Sequence, residues 1–350
     1  MSHKSAIIGF GGMGHWHYEN ITKRIDAIDV KGVFDVRDER LELAEKEGLF
    51  PYKSLEEVLN DKEVDIVTVA TPNNFHKDIS IACLRAGKNV ISEKPVTMNS
   101  AELEEIIKVR NETGKLFAVH QNRRWDKDFR IVKKAIEDNM IGKPFYIESR
   151  VQGSGGTLHG WRGAKINGGG MLYDWGIHLI DQIMWLIDSP VVEIMTHMFK
   201  VKSDECDDNF KMFLRFENGI SAHVQVDTYC FINLPRWHVS GDAATIVVND
   251  WECNGKIVKA KEGATEWSEN IVYTAAGPTR TMAPRKKETI EELSLPEVQT
   301  SWTDFYNNIV DVIDNGADLI VKPEQSLRVM KVIDAGFESE RIGKSIRVNV

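Results

Sequence analysis

One stretch of the chain joins three glycines to a helix that carries a carboxylate and an imidazole. Residues 168–186 read GGGMLYDWGIHLIDQIMWL and place Asp174, His178 and Asp181 in an otherwise apolar run. Packing alone does not require such a pair, and side chains four residues apart share one helix face. The imidazole of His178 titrates near neutral pH and suits a general base, whereas Asp174 can bind a neighbouring hydroxyl or orient the ring. Asp181 either contacts substrate or caps a neighbour.

A glycine-rich turn near the start of the chain predicts a nucleotide site. A buried strand is expected over residues 4–10 and a helix over residues 12–24, and between them lies a GxGxxG motif, Gly9, Gly11, Gly12, Met13 and Gly14 included. The glycines allow a tight turn, close approach of a pyrophosphate and close packing of helix on strand. The free N–H groups of the helix N-terminus attract the phosphates.

An acidic residue follows at the distance expected for ribose recognition. A second strand, over residues 30–34, ends at Asp35, which is 21 residues after Gly14. This carboxylate predicts binding of the adenosine ribose and favours NAD over NADP, because it repels a 2′-phosphate. The roles of Arg37 and Arg40 stay open. Either residue could bind such a phosphate, stack on the adenine ring, or be an ordinary surface charge.

Alternating strands and helices then predict a doubly wound parallel sheet. Strands are expected over residues 64–70, 88–92 and 116–120, and helices over residues 75–86 and 100–113. Ligands of such sheets collect at the C-terminal strand ends. Those ends carry three polar clusters, Thr71-Pro72-Asn73, Glu93-Lys94-Pro95 and His120-Gln121-Asn122.

Together these motifs resemble those of the Gfo/Idh/MocA oxidoreductases, which include glucose–fructose oxidoreductase and the inositol dehydrogenases. The resemblance rests on GFGGMG at 9–14, ATPNNFH at 70–76, EKP at 93–95, NRR at 122–124 and GGGMLYDWGIH at 168–178. It implies a Rossmann domain over residues 1–121 and an α+β domain over residues 122–350, with a large, mainly antiparallel, open-faced sheet. Members of the family oxidise a ring or sugar hydroxyl, or reduce the ketone.

The resemblance also implies roles for individual residues. Lys94, Asp174 and His178 are expected at the substrate, where His178 takes the hydroxyl proton and Lys94 donates to the reacting oxygen. A cis peptide before Pro95 would aim Lys94. Cofactor contacts are expected from the glycine-rich turn, from Asp35 and Arg37, and from the strand ends: Thr71, Pro72, Asn73, His76, Glu93, Lys94 and Asn122.

Several of the remaining candidates have a structural alternative. His76 either touches the cofactor or opens the following helix, and His17 lies near the pyrophosphate or is an ordinary helix residue. Arg124 either lines the substrate pocket or pairs with an acid inside the second domain. Further candidates for the pocket wall are Arg123, Trp125, Trp161 and Arg162, since aromatic faces stack on sugars and guanidinium groups bind hydroxyls or carboxylates.

The second half of the chain reads as strands with partial alternation, at residues 144–151, 192–201, 209–216, 220–229 and 244–250. One face of their sheet is expected to pack on helices, and the other is expected to be open and apolar. An open apolar face predicts a homodimer or homotetramer. Helices near residues 301–315 and 323–342 close the fold, and the last is expected to pack back on the Rossmann domain. The segment at 262–298 has no assignment beyond a surface excursion.

Composition limits the classes of function. The 350 residues carry 44 Lys and Arg against 53 Asp and Glu, a net charge of −9, which argues against general nucleic-acid binding. No apolar run reaches the ~20 residues of a membrane span, and the N-terminus lacks a secretory signal, so a cytoplasmic protein is expected. Four scattered cysteines have no metal-ligand spacing, so no metal is expected.

The sequence therefore predicts an NAD(P)-dependent dehydrogenase for a cyclic polyol, sugar or glycoside. Two alternatives stay open. One is a hydrolase of the same fold that uses bound NAD transiently to cleave a glycoside, and the other is a nucleotide-binding regulator without turnover. The complete set of Lys94, Asp174 and His178 argues against the regulator, since a sensor has no need of acid–base groups.

Overall fold

The first sheet has the parallel, doubly wound architecture that the sequence predicts. The computed structural model describes residues 2–156, 158–263, 271–279 and 286–350. Six parallel strands lie in the order β3-β2-β1-β4-β5-β6. The elements of this half are β1 His3–Ile8, α1 Gly12–Arg24, β2 Ile28–Phe34, α2 Asp38–Lys46, β3 Phe50–Pro51, α3 Leu55–Asn60, β4 Ile66–Val69, α4 His76–Arg85, β5 Asn89–Ser92, α5 Ser100–Thr113 and β6 Phe117–Val119.

Local signals in the sequence set several of these boundaries. Helix α5 begins after Asn99, whose side chain accepts a hydrogen bond of 2.9 Å from the Glu102 N–H, and ends at Gly114 with φ +66°. A polar N-cap and a left-handed glycine are the usual helix ends, so the predicted bounds of this helix are those observed. The central strands β4 and β5 and the edge strand β6 are buried on both faces because helices cover both sides of the sheet.

The second half holds a nine-stranded, mainly antiparallel sheet. Its order is β16-β13-β12-β11-β7-β10-β9-β8-β17, and β7 with β10 is the parallel pair. The elements are α6 Lys127–Glu137, β7 Pro144–Gln152, α7 Ile177–Leu186, β8 Val191–Phe199, β9 Asn209–Phe216, β10 Ser221–Asp227, β11 Trp237–Gly241, β12 Ala244–Val248, β13 Gly255–Ala260, β14 Val272–Thr274, β15 Gly277–Thr279, β16 Ile290–Leu293, α8 Thr303–Asn315, α9 Pro323–Ile342 and β17 Ile346–Arg347.

The unassigned segment at 262–298 is described in part. The hairpin of β14 and β15 and the edge strand β16 belong to it, and residues 264–270 and 280–285 lie outside the described residues. Strand β16 pairs with β13 and extends the large sheet at that edge.

The last long helix packs against both halves of the molecule. Helix α9 contacts β8 of the large sheet, where the Thr196 N–H donates to Ser339 at 3.0 Å. It also contacts α5 of the first half, where the Ser100 N–H donates to Asp334 at 2.9 Å and Lys331 pairs with Glu104 at 2.9 Å. Helix α9 therefore belongs to the second half along the chain but packs in space against the first half as well.

The large sheet has one covered and one open face, but the open face is of mixed polarity. Along β9, Phe210, Met212 and Leu214 are buried towards the helices, and the residues between them face outwards. Phe213 is 47% exposed on the open face, beside the ion pair of Lys211 with Asp227 at 2.5 Å. The expectation of an apolar face is therefore corrected, because charged ladders alternate with the exposed aromatic and Met side chains.

Within the described residues, no helix combines the length and the apolar character that crossing a bilayer requires. The four cysteines are all free thiols.

Candidate active site

A cleft of about 460 Å³ opens at the C-terminal ends of the first sheet. It brings together residues from both halves of the chain, which the sequence had placed far apart. Its lining includes Gly9, Gly11, Gly12, Met13, Asp35, Arg37, Thr71, Pro72, Asn73, Glu93, Lys94, Trp161, Arg162 and Asp174. Twelve of these fourteen residues were predicted to bind cofactor or to act at the substrate, and Trp161 and Arg162 were candidates for the pocket wall.

The glycine-rich turn has the geometry of a phosphate cradle. Gly9 has φ +90°, and a Cβ atom there would lie 2.7 Å from the Ala70 carbonyl oxygen. A Cβ on Gly14 would lie 1.9 Å from the Gly9 carbonyl oxygen, so this glycine serves packing beneath the turn. Nothing lies within 4 Å of a Cβ placed on Gly11 or Gly12, so the backbone there faces open space at the N-terminus of α1. A pyrophosphate can therefore approach these N–H groups closely.

Asp35 is held in place at the end of β2. Its carboxylate accepts hydrogen bonds from the Phe10 N–H at 2.7 Å and from the Arg37 N–H at 3.0 Å. Its side chain is only 8% exposed, whereas that of Arg37 is 49% exposed and lies 3.6 Å from Asp35 and 3.7 Å from Glu39. The acid is thus fixed at the cleft, where a ribose was predicted to bind, and the nearest guanidinium is shared between two carboxylates.

The strand end at 71–73 lines the cleft, but His76 does not. The Thr71 hydroxyl is buried without a partner among the described residues, and the Asn73 amide donates to the Gly168 carbonyl at 2.9 Å. The ring nitrogens of His76 lie 2.9 Å from the Pro95 carbonyl and 2.8 Å from the Thr71 carbonyl. The prediction of a cofactor contact from His76 is therefore corrected: this buried residue opens α4 and ties two loops together.

Lys94 and Asp174 meet at the junction of the two halves. The ammonium of Lys94 donates to the Asp174 carboxylate at 3.1 Å and to its backbone carbonyl at 3.0 Å. The peptide bond between Lys94 and Pro95 is cis, as predicted. Burial alone would raise the pKa of Asp174, but the charges of Lys94 and Arg162 outweigh that effect and lower it. Asp174 is therefore a carboxylate under neutral conditions.

The glycine triplet and a π-helical turn carry Asp174 to this position. Residues Leu172–Gly176 form one π-helical turn ahead of α7, a feature that clusters at functional sites. The Asp207 carboxylate accepts a 2.8 Å hydrogen bond from the Leu172 N–H, and a Cβ on Gly170 would lie 2.2 Å from the same carboxylate. Gly170 has φ +109°, so both conformation and space require glycine there.

His178 is buried behind this turn as a neutral imidazole. Burial first, and then the charges of Lys94 and Arg123, hold the pKa of His178 well below its usual value. Its Nδ1 atom is buried with no partner among the described residues, and no hydrogen bond there joins it to Asp174. The imidazole is therefore neutral, and Asp174 does not orient it, since Lys94 and Arg162 contact that carboxylate.

Trp161 and Arg162 form the wall opposite the glycine-rich turn. Their segment runs between the glycines at 153–156 and those at 168–170. The guanidinium of Arg162 stacks 4.6 Å from the Trp161 ring and lies 3.5 Å from the Asp174 carboxylate. Arg162 remains 39% exposed, so it can bind a ligand in the cleft while it neutralises Asp174.

Arg124 and Asp181 belong to the core of the second half. Arg124 is 1% exposed and makes a bidentate pair with Asp181 at 2.6 and 2.7 Å. Its third nitrogen donates to the Ile320 carbonyl and to the Gln325 side chain. The prediction of Arg124 as a substrate residue is therefore corrected in favour of its alternative, a pair with an acid. Asn122 begins a short 3₁₀ turn and is not part of the cleft lining, so its cofactor contact stays a prediction.

A buried polar network behind Lys94 was missed by the sequence. Glu93, which lines the cleft, accepts hydrogen bonds from His17 and His120 at 2.8 Å each and from the Lys94 N–H at 3.0 Å. His17 lies beside the nucleotide turn in sequence but contacts Glu93 and Tyr306. Only the position of His120 at a strand end hinted at this arrangement, because its partners are up to 289 residues apart in the chain.

These residues fit a nicotinamide dinucleotide. The open backbone at Gly11 and Gly12 matches a pyrophosphate, Asp35 matches the adenosine ribose, and Thr71, whose hydroxyl has no partner among the described residues, lines the same cleft as Lys94. Fold and cleft thus define an oxidoreductase with an NAD-binding Rossmann domain.

Comparison with known proteins gives the same class and adds the family. Residues 3–121 match the model for an oxidoreductase family with an NAD-binding Rossmann fold, and residues 129–247 match the GFO/IDH/MocA C-terminal domain. The chain belongs to the Gfo/Idh/MocA family, as the sequence motifs indicated. The predicted fold class and enzyme class, an NAD(P)-dependent dehydrogenase, are confirmed.

Three relatives illustrate the similarity. The chain is 27% identical to scyllo-inositol 2-dehydrogenase (NADP(+)) of Bacillus subtilis, over 98% of this chain and 95% of the relative. It is 31% identical to myo-inositol 2-dehydrogenase of Thermotoga maritima over 220 residues, 61% of this chain and 65% of the relative. The crystal structure of an NAD-binding protein from Listeria innocua superposes with a TM-score of 0.95 at 43% identity, covering 99% of both chains.

Proposed function

We propose that this enzyme transfers a hydride between NAD and a ring hydroxyl or ketone of a cyclic polyol, sugar or glycoside. The observation that carries the proposal is the contact of Lys94 with Asp174 inside the nucleotide cleft, with neutral His178 behind it. A cation in the cleft is what stabilises the oxygen of an alcohol during oxidation, and a neutral imidazole can take its proton, although His178 itself is buried outside the cleft lining. Two relatives named as inositol 2-dehydrogenases support the substrate class.

Each group has a defined task in this reaction. Asp174 and Arg162 bind hydroxyls next to the reacting carbon, and Trp161 covers the cleft wall against a sugar face. Lys94 donates to the substrate oxygen and stabilises negative charge on it, while His178 accepts the hydroxyl proton. NAD bound along the cleft would supply the acceptor for the hydride that leaves the same carbon. The carbon–oxygen bond becomes a carbonyl, and proton and hydride are both accounted for.

We infer NAD rather than NADP as the preferred cofactor. The carboxylate of Asp35 is fixed by two backbone N–H groups, so it cannot swing away from a 2′-phosphate. Arg37 is paired with Asp35 and Glu39 and is a poor partner for that phosphate. The Bacillus subtilis relative is named for NADP(+) and the Listeria innocua structure for NAD, so relatives differ in this property.

The test is a substrate survey. Purified protein is incubated with NAD, and in parallel with NADP, across inositols, aldoses, sugar acids and glycosides, and reduced cofactor is followed by absorbance. We expect NADH formation with at least one cyclic polyol or sugar. Glycoside cleavage without net NADH would support the hydrolase instead. Binding of NAD without turnover of any member of the panel would contradict the proposal.

We further propose that the protein assembles into a homodimer or homotetramer through the open face of the large sheet. This face carries exposed Phe213 and Met195, which are neighbours on paired strands β9 and β8, together with partly exposed ion pairs such as Lys211 with Asp227. Exposed apolar side chains on a flat sheet are common at subunit contacts, and the alternating ion pairs would set the register of the two copies.

A further inference from the structure

Four polar side chains form a chain of hydrogen bonds behind the cleft. Tyr306 on α8 lies 2.5 Å from Nδ1 of His17, and Nε2 of His17 lies 2.8 Å from Oε1 of Glu93. Nδ1 of His120 lies 2.8 Å from the same oxygen. None of the four is more than 5% exposed. Oε2 of Glu93 accepts the backbone N–H of Lys94 at 3.0 Å, so the chain ends at the proposed catalytic lysine.

The position of each proton follows from the partners. An ionised carboxylate only accepts, so Nε2 of His17 and Nδ1 of His120 both carry hydrogen towards Glu93. A neutral His17 then has its lone pair on Nδ1, and the Tyr306 hydroxyl donates to it. Two histidines and a glutamate also occur at metal sites. Here both nitrogens meet one carboxylate oxygen at 2.8 Å, which is hydrogen-bond geometry.

Electrostatics favours an anionic Glu93 beside a neutral His17. Burial lowers the pKa of His17, and its bond and charge interaction with Glu93 only partly oppose this effect. Burial would raise the pKa of Glu93, but His120 and His17 outweigh it and hold that pKa well below its usual value. The titratable groups that face His17 are Glu93 after β5, His120 after β6 and Tyr306 on α8, with Lys94 next along the chain.

The cleft floor thus carries a fixed negative charge at one end. Asp35 fixes the adenosine end of the cleft, so Glu93 and Lys94 lie at the end that receives the nicotinamide. The oxidised nicotinamide ring is a cation and the reduced ring is neutral. A nearby anion therefore binds the oxidised form more tightly, and a proton added to the network would remove that preference.

We propose that Tyr306 and His17 are positioning residues that keep Glu93 anionic beneath the nicotinamide, and thereby bias the site towards NAD⁺ over NADH. The hydroxyl of Tyr306 occupies the one lone pair of His17 that could take a proton. Because Tyr306 belongs to α8, the second half of the chain sets the charge of the first half's cofactor site. This inference rests on the proposed use of NAD, but it does not depend on the substrate.

The test compares Tyr306→Phe with Tyr52→Phe, a matched control. Tyr52 is also buried, and its hydroxyl donates to Asp61 at 2.6 Å, remote from the cleft. Histidine protonation is followed by NMR in the free protein, and NAD⁺ and NADH affinities are measured by fluorescence from pH 8 to pH 5.5. We expect Tyr52→Phe to show the same ratio of the two affinities as the wild type at every pH.

In Tyr306→Phe the His17 pKa should rise, because its neutral form loses a donor. Below about pH 6 the preference for NAD⁺ should then fall about fivefold further than in the wild type, which is the effect of one nearby charge. His17→Gln keeps an N–H towards Glu93 and cannot titrate. The double variant with Tyr306→Phe should therefore lose the pH effect.

Two results would overturn the inference: an unchanged affinity ratio in Tyr306→Phe with nucleotide binding intact, or the same pH effect in the double variant. Absence of NAD⁺ and NADH binding in the wild type would instead contradict the proposed function itself.

Discussion

At the scale of single residues, hydrogen bonds hold the charged side chains of the cleft in defined positions. Lys94 donates to both the carboxylate and the carbonyl of Asp174, and these two hydrogen bonds fix its ammonium in the cleft. The buried pair of Arg124 with Asp181 shows the contrasting use of the same residue types, since those charges neutralise each other inside the core. Motif position suggested which residues matter, but only contacts separate a catalytic cation from a structural one.

Replacing the lysine tests this distinction. Lys94→Met keeps most of the length of the side chain and removes the charge, so turnover should fall by about 10³-fold while NAD affinity changes little. Initial rates and fluorescence titration measure the two quantities. Lys134→Met is the control, since Lys134 pairs with Asp138 at 2.8 Å on a surface helix. An equal loss of turnover in both variants would show that Lys94 has no role in catalysis.

The acid at the end of β2 should govern cofactor choice. Asp35→Ser removes the charge that repels a 2′-phosphate, so kcat/KM with NADP should rise relative to NAD by about tenfold or more. Parallel kinetics with both cofactors give the ratio. Asp38→Ser, at the start of the next helix, is a matched control. An unchanged ratio in Asp35→Ser would show that discrimination lies elsewhere.

At the scale of elements, the loop between β8 and β9 sets the position of the π-helical turn that carries Asp174. Asp207 caps the π-helical turn, whereas adjacent Asp208 accepts N–H groups of Val201, Lys202 and Ser203 within its own loop. Burial raises the pKa of Asp207 to about 7. For Asp208, burial acts in the same direction, but the three backbone donors prevail and lower the pKa.

Adjacent carboxylates should therefore respond to pH in opposite ways. Native Asp207 binds its proton more tightly than the unfolded chain does, so its contribution to stability is present below about pH 4 and is lost as pH rises through 7. Asp207→Asn should gain thermal stability over the wild type, more at pH 8 than at pH 5, by at most about 4 kcal/mol. Asp208→Asn should lose about 1–2 kcal/mol at pH 7. Melting curves at both pH values test the two signs.

The glycine triplet offers a second test of this element. Gly170→Ala places a Cβ against Asp207, whereas Gly48→Ala has a comparable positive φ and nothing within 4 Å. The control should cost about 1 kcal/mol from backbone conformation alone. Gly170→Ala should cost more and also lower turnover, since Asp174 follows four residues later. Equal melting temperatures of Gly170→Ala and Gly48→Ala would show that the Asp207 loop moves aside without loss of stability.

Sequence patterns predicted the elements better than their tertiary contacts. The bounds of α1 and α5 follow from glycines and caps within the segments themselves. The π-helical turn and the network of His17, Glu93 and Tyr306 have no local signal, because they depend on partners hundreds of residues apart. His76 and Arg124 looked like ligand contacts for the same reason, since a polar residue near a motif does not reveal what it faces.

At the scale of the whole molecule, the open sheet face should decide assembly. Phe213→Glu puts a charge in the centre of the proposed contact, opposite Met195 on the paired strand. We expect the oligomer to dissociate, as measured by light scattering, because a desolvated charge has no partner there. Phe145→Glu is a control at a comparably exposed Phe near the beginning of β7. A monomeric wild type would exclude the proposed assembly outright.

The course of α9 limits how this protein can be recombined with its relatives. The helix is distant in sequence from the nucleotide domain, yet Asp334 and Lys331 bind α5 while Ser339 binds β8. A chimera that takes its cofactor half from one parent and everything after residue 121 from another would therefore join mismatched surfaces. Exchange of substrate range by segment swapping should succeed only if α5 and α9 come from the same parent.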